Sequence, residues 1–126
     1  MSLVSPLNRV LGLGSAKEGA EHWWVQRLTA VALVPLGLWL ALALGGLEDL
    51  SYDSVTGFIR EPLNSILLIL TLLTLSYHSQ LGVQVVVEDY VHGALKVVTL
   101  IIFKLVHWAV AIAGIYSVIV ISVGAA

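Results

Sequence analysis

The sequence has no cysteine, and charged residues fill only 11% of its 126 positions, against about 25% in an average soluble domain. Without thiols the chain forms no disulfide, offers no thiolate to zinc or an iron–sulfur cluster, and attaches no c-type heme covalently. Six Lys and Arg against eight Asp and Glu leave a net charge of −2 and no basic stripe for nucleic acid. No serine–histidine–acid set or nucleotide-binding glycine loop is present, and Gly12 and Gly14 follow no strand that would make them a phosphate loop. A self-contained enzyme is therefore not expected. What the chain has is apolar surface: 59% of its residues are hydrophobic and the mean hydropathy is +0.98. Small domains bury only about two-thirds of the surface that their unfolded chains expose, so most of this surface must face lipid.

Charge divides the chain into three apolar stretches, each to be compared with the ~20 residues that span a bilayer core. Residues 28–47 and 62–87 contain no Asp, Glu, Lys or Arg, and 97–123 is interrupted only by Lys104 and His107. The expected fold is an all-α membrane protein in a single domain, 1–126. It has an N-terminal segment at 1–24 and transmembrane helices at about 25–46, 62–88 and 97–123. Pro35 is a candidate kink. Between the first two spans, Val55, Phe58 and Ile59 recur at helical spacing and suit a short interfacial helix at about 51–60, with Ser51 as its N-cap. Ala41 with Gly45, and Ala109 with Ala113, are small residues four apart that would allow close helix contacts.

Arg9, Lys17 and Arg27 precede the first span, Lys96 lies between the second and third, Arg60 alone lies between the first and second, and no Lys or Arg follows the third. By the positive-inside rule the N-terminus and the 88–96 connection face the cytoplasm, and the C-terminus faces the periplasm of a bacterial inner membrane. The competing signal-peptide reading, with cleavage near Ala41-Leu42-Ala43, fails because the apolar run exceeds the ~7–15 residues of an ordinary signal core.

The informative residues are polar groups in the spans, since an ionisable side chain in hydrocarbon costs several kcal/mol unless satisfied. His78 stands nine residues before Val87, about 13 Å below the cytoplasmic boundary at 1.5 Å per residue. It reads either as an axial heme ligand or as a histidine hydrogen-bonded to a neighbouring helix. Gly82, Val85 and Asp89 share its face, and Gly82 would let a macrocycle or another helix approach. Tyr90 suits an interfacial aromatic belt or a hydroxyl offered to a quinone carbonyl, with Asp89 orienting it or relaying protons. Arg27, in the segment His22-Trp23-Trp24-Val25-Gln26-Arg27-Leu28-Thr29-Ala30, either snorkels to lipid phosphates or pairs with a heme propionate. His107 lies about 15 Å into the third span, nearly level with His78. One chain could thus supply both axial ligands, or His107 could make an interhelical hydrogen bond.

The pattern His78, Gly82, Gln84, Glu88-Asp89-Tyr90 resembles the histidine, glycine, glutamine and terminal Asp-Tyr motif of the small hydrophobic membrane anchor of succinate dehydrogenase. The segment from His22 to Ala30 is similar to that family's entry into its first span, and Leu50-Ser51-Tyr52-Asp53 through Gly57-Phe58 to its linker. The likeness covers about residues 20–95.

It implies that three transmembrane helices form half of a heme-binding bundle with a second membrane anchor subunit. It implies His78 as one axial ligand of heme b, the other coming from that second anchor, with Arg27 and His22 near the propionates and Tyr90 and Asp89 at the ubiquinone site. The implied complex adds an iron–sulfur subunit with the clusters and a flavoprotein with FAD. It oxidises succinate and reduces ubiquinone to ubiquinol, with this subunit taking no part in succinate oxidation itself, and a trimer of such heterotetramers is open to it. The alternatives are an anchor of a fumarate reductase and a non-heme accessory subunit of a transporter or channel.

Overall fold

The computed structural model describes residues 17–124, so the first sixteen residues, Arg9, Gly12 and Gly14 among them, lie outside the described part. Four helices follow one another: α1 (Lys17–Gly45), α2 (Tyr52–Arg60), α3 (Pro62–Tyr90) and α4 (Gly93–Ser122). Three are long and apolar enough to cross a membrane, over Ala20–Gly45, Pro62–Tyr90 and Gly93–Ser122. With no strand among the described residues, this is an all-α membrane fold.

The helices outrun the apolar stretches that announced them. α1 opens at Lys17 rather than 25, so the end of the segment expected at 1–24 is helical, and α4 opens at Gly93 rather than 97. The loss of charge in the sequence marks where lipid begins. A helix continues past that level wherever good helix formers such as Ala20 and Glu21 extend it.

α3 is the central element. It packs against α1 on one side and α4 on the other, while α1 and α4 make no direct backbone contact among the described residues. Gln26 and Thr29 of α1 meet Gly82 and His78 of α3 in reverse order, and Leu72 and Ser79 of α3 likewise meet Gly114 and His107 of α4, so both pairs are antiparallel. The α3–α4 turn consists of Val91 and His92 and closes on Gly93, whose φ of +68° is left-handed. A side chain there would cost about 1–2 kcal/mol.

Packing on α4 runs through Ala111 and Val118, both buried, and through Gly114, where an added Cβ would come within 3.2 Å of Leu72. The small residues that would allow close helix contacts make none among these helices. Ala41, Ala109 and Ala113 are exposed, and Gly45 has nothing within 4 Å of where its Cβ would stand. Spacing showed which residues share a face, and the neighbours lie on another one. The buried hydroxyls are satisfied within their own helices: Thr56 donates to the Tyr52 carbonyl, Ser65 to Pro62 and Thr71 to Leu67. That is how such groups are tolerated away from water.

α2 lies at the other end of the bundle and touches α3 and α4, and Phe58 stacks on Trp39 of α1 at 6.1 Å. Ser51 caps α2 by accepting from the Ser54 N–H, and Asn64 at the start of α3 donates to the Phe58 carbonyl. The Asp49 carboxylate accepts from the Ser51 and Ser54 hydroxyls and from the Ser51 N–H. Those hydrogen bonds, led by the Ser51 hydroxyl, hold it below its ordinary value of 3.8.

Ser51→Ala therefore costs about 1 kcal/mol of local stability, read as faster amide exchange over 52–56. Because the folded value of Asp49 is depressed, its contribution is fully present above pH 3.8 and fades as the pH falls through the lower folded value. Amide exchange in α2 should thus be insensitive to Asp49 protonation at neutral pH and respond only in acid.

Candidate functional site

His78 sits half-buried on α3, facing α1. Its Nδ1 lies 2.9 Å from the Thr29 hydroxyl, and its Nε2 lies 3.4 Å from the Gln26 side-chain nitrogen, which is a long contact. Gln26 also lies over Gly82, 3.6 Å from where a Cβ would stand. The close approach that Gly82 permits is therefore made by a glutamine of α1. Thr29 is anchored in turn, 2.8 Å from the Val25 carbonyl and 3.0 Å from the Gln26 carbonyl. The neutral reading of His78 as an interhelical hydrogen-bonding group is thus present in the structure, together with a nitrogen that is only loosely engaged.

Two polar atoms near this place are buried and have no hydrogen-bond partner among the described residues: Nε2 of His22 and Oε1 of Gln26. His22 and Gln26 stand one turn apart on α1, on one face. Arg27 is turned away from that face. It is exposed, and its guanidinium lies 4.2 Å from the centre of the Trp23 ring, which packs edge-on against Trp24.

The last turn of α3 is a second place. Tyr90 is 81% exposed, Asp89 is exposed beside it, and neither makes a hydrogen bond among the described residues. The Lys96 ammonium donates to the Glu88 carbonyl at 3.2 Å, and the Gln84 amide donates to the Glu88 carboxylate at 2.8 Å. The helix end is thereby fixed while Asp89 and Tyr90 remain free. Twelve residues separate Tyr90 from His78 along α3, about 18 Å at 1.5 Å per residue, so the two places are distinct.

His107 is already committed. Its Nδ1 lies 2.7 Å from the Phe103 carbonyl, which can only accept, so Nδ1 carries the proton, and Nε2 accepts from the Ser79 hydroxyl at 3.1 Å. His78 and Ser79 are consecutive on α3, so they point about 100° apart, one to α1 and the other to α4. His107→Leu should accordingly loosen the α3–α4 contact by about 1 kcal/mol. Any heme spectrum of the purified complex should stay as it is, whereas a collapsed spectrum would restore His107 as a ligand.

A cleft of about 360 Å³ opens between α1 and α4 over α3, with Thr29 on one wall and His107 and Trp108 on the other. Among the described residues no group of three or more His, Cys, Asp or Glu is placed to hold a bare metal ion.

Gln26, Thr29 and Ser79 are the site residues that motif reading passed over. Gln26 and Thr29 did carry a signal, since they are polar residues three apart, on one helical face, at the mouth of an apolar span.

Comparison with known proteins agrees with this architecture. Residues 1–121 match the family described as succinate dehydrogenase/fumarate reductase transmembrane subunit. The succinate dehydrogenase hydrophobic membrane anchor subunit of Paracoccus denitrificans is 26% identical over 99% of this chain and 97% of its own length. That of Rickettsia bellii is 40% identical over 62% of each chain. The succinate dehydrogenase membrane anchor subunit of Reclinomonas americana is 37% identical over 61% of this chain and 67% of its own. No solved structure matches significantly. With three apolar spans, a half-buried polar site between two of them and this match over nearly its whole length, the chain is a multi-pass membrane protein belonging to the succinate dehydrogenase/fumarate reductase transmembrane subunit family.

Proposed function

We propose that this chain is one of two membrane anchors of a succinate:ubiquinone oxidoreductase, where it supplies His78 as one axial ligand of heme b and Tyr90, with Asp89, to the ubiquinone site. The observation that carries the reading is His78 itself: an imidazole at membrane depth, tied to α1 through Nδ1 and engaged at Nε2 only at 3.4 Å. Eleven and twelve residues on along α3, an acid and a tyrosine stand open at the helix end. A transporter or channel accessory subunit has no use for that combination.

The residues fit a b-type heme. One imidazole is all that this chain need give if a second anchor gives the other. Gly82 carries no side chain, and only the movable Gln26 amide lies against it. The buried, unpartnered His22 nitrogen and the exposed Arg27 guanidinium suit propionate oxygens. The second anchor has ample surface to cover: Leu28, Val31, Val34, Leu38 and Leu42 on α1 are each more than 60% exposed. When bound, heme would supply a one-electron carrier.

Tyr90 then works by donating its hydroxyl proton to a quinone oxygen, a bond that strengthens as negative charge develops there. Asp89, on the cytoplasmic side, orients that hydroxyl and hands in protons, two of which accompany the two electrons that make ubiquinol. Flavin and iron–sulfur clusters belong to the two peripheral subunits, since this chain has no thiolate to hold a cluster. The N-terminus faces the cytoplasm and the C-terminus the periplasm.

The test is purification from membranes through a tag on this chain. A flavoprotein, an iron–sulfur protein and a second hydrophobic chain should co-purify with a low-spin heme b spectrum. A colourless preparation without those partners would refute the proposal. Because the matched family also contains fumarate reductase subunits, redox titration of the heme and the quinone preference of the purified complex distinguish the two directions of catalysis.

A further inference from the structure

We infer that Thr29 is a positioning residue for the heme ligand: its hydroxyl oxygen accepts the Nδ1 proton of His78, and the imidazole is thereby fixed in the tautomer whose Nε2 lone pair is available to iron. The inference rests on the heme reading above and adds to it a residue on another helix that sets the ligand's protonation and ring orientation.

A threonine hydroxyl has one proton to give and two lone pairs to receive with. Here the oxygen lies 2.8 Å from the Val25 carbonyl and 3.0 Å from the Gln26 carbonyl, and both of those can only accept. The single proton therefore turns back into α1, as hydroxyls in apolar helices commonly do. The third neighbour, Nδ1 of His78 at 2.9 Å, must then be the donor.

The other ring nitrogen agrees. Facing Nε2 at 3.4 Å is the Gln26 amide nitrogen, a donor, which calls for a lone pair on Nε2. The Thr29 hydroxyl thus selects the tautomer, and the longer Gln26 contact is compatible with it. That tautomer is the one a metal-bound imidazole needs, with its distal N–H held by an oxygen that orients the ring and raises its basicity.

Thr29 also lies at the wall of the cleft between α1 and α4, so an interhelical tie of ordinary strength is the competing account. A structural tie and a positioning bond differ in what they move. Loss of a tie lowers assembly yield and thermal midpoint alone. Loss of a bond to the ligand's N–H makes the imidazole a poorer electron donor, so ferric heme loses more than ferrous heme and the midpoint potential rises.

The experiment compares Thr29→Val, which removes the hydroxyl at nearly constant shape, with Thr29→Ser, which keeps it, in the purified complex. Expected for Thr29→Val are a raised heme midpoint potential, an altered low-spin electron paramagnetic resonance signal and roughly 10–100-fold weaker heme retention. Thr29→Ser should restore all three. If Thr29→Val does not assemble, Thr29→Ala makes the same comparison. A Thr29→Val or Thr29→Ala complex with the parent's potential and spectrum overturns the inference.

His78→Leu in the same series separates the two levels. An intact spectrum in that variant refutes heme ligation itself. A spectrum lost there but unchanged without the Thr29 hydroxyl refutes only the role of Thr29.

Discussion

A complex carrying His78→Leu assembles but loses its low-spin heme b spectrum. Leucine has a volume close to that of histidine and suits a lipid-embedded helix, so the cost to the fold is confined to two hydrogen bonds. The Thr29 hydroxyl keeps its bond to the Val25 carbonyl, and the Gln26 contact at 3.4 Å was weak from the start. One interhelical bond of this kind contributes about 1 kcal/mol, too little to unfold a helix held on both sides by α1 and α4. The effect on heme is of another order. Removing only a group that orients a metal ligand costs about 10–100-fold in affinity, and removing the ligand exceeds that. The check is an optical and paramagnetic resonance spectrum at matched protein concentration, with the other subunits quantified on a gel. An unchanged low-spin spectrum would show that His78 is only the interhelical tie that its contacts also allow.

Tyr90→Phe slows succinate-driven ubiquinone reduction while leaving succinate oxidation by an artificial acceptor at the parent's rate. The substitution deletes one hydroxyl, which has no partner among the described residues to be orphaned, so stability should hardly change. A hydrogen-bond donor aimed at a developing negative oxygen contributes about 10²–10³ in rate in a dry, preorganised site. Tyr90 is 81% exposed in the isolated chain and at the membrane surface keeps some access to water, so a loss of about 10–100-fold is expected. The two assays run on the same preparation. Equal loss in both would place the fault in the flavin or cluster subunits and remove Tyr90 from the quinone site.

Parts of this site were legible because lipid makes polar residues conspicuous. His78 stood out as a group that hydrocarbon does not tolerate unaided, and its spacing to Asp89 and Tyr90 at the helix end needed no tertiary information. Ser51 at the head of α2 was legible for a related reason, since capping is a local exchange between a side chain and the backbone three residues on. His107 was ambiguous. At nearly the depth of His78 it qualified equally as a ligand, and only the tertiary structure gave each of its ring nitrogens a neighbour, the Ser79 hydroxyl at one and the Phe103 carbonyl at the other. Arg27 and His22 were visible as polar residues at the mouth of a span, but nothing in one dimension told that Arg27 turns outward over Trp23 while His22 turns in.

The amino-acid order alone determined three crossings, their sequence along the chain, the short capped helix between the first two, and the residues that hydrocarbon would not accept without a partner. Those follow from chain-local quantities: the length of uncharged runs, the charge that bounds them and the hydrogen-bonding valence of single side chains. Tertiary structure alone decided which faces meet. It set Gly114 against Leu72 at the α3–α4 contact and left Ala109 and Ala113 exposed, laid Gln26 over Gly82 and brought Thr29 to the imidazole of His78. In a soluble helix the buried face is written as an apolar stripe. A helix apolar all round carries no such stripe, so its rotation is fixed by close packing and a few polar contacts between helices, which exist only once the helices are side by side.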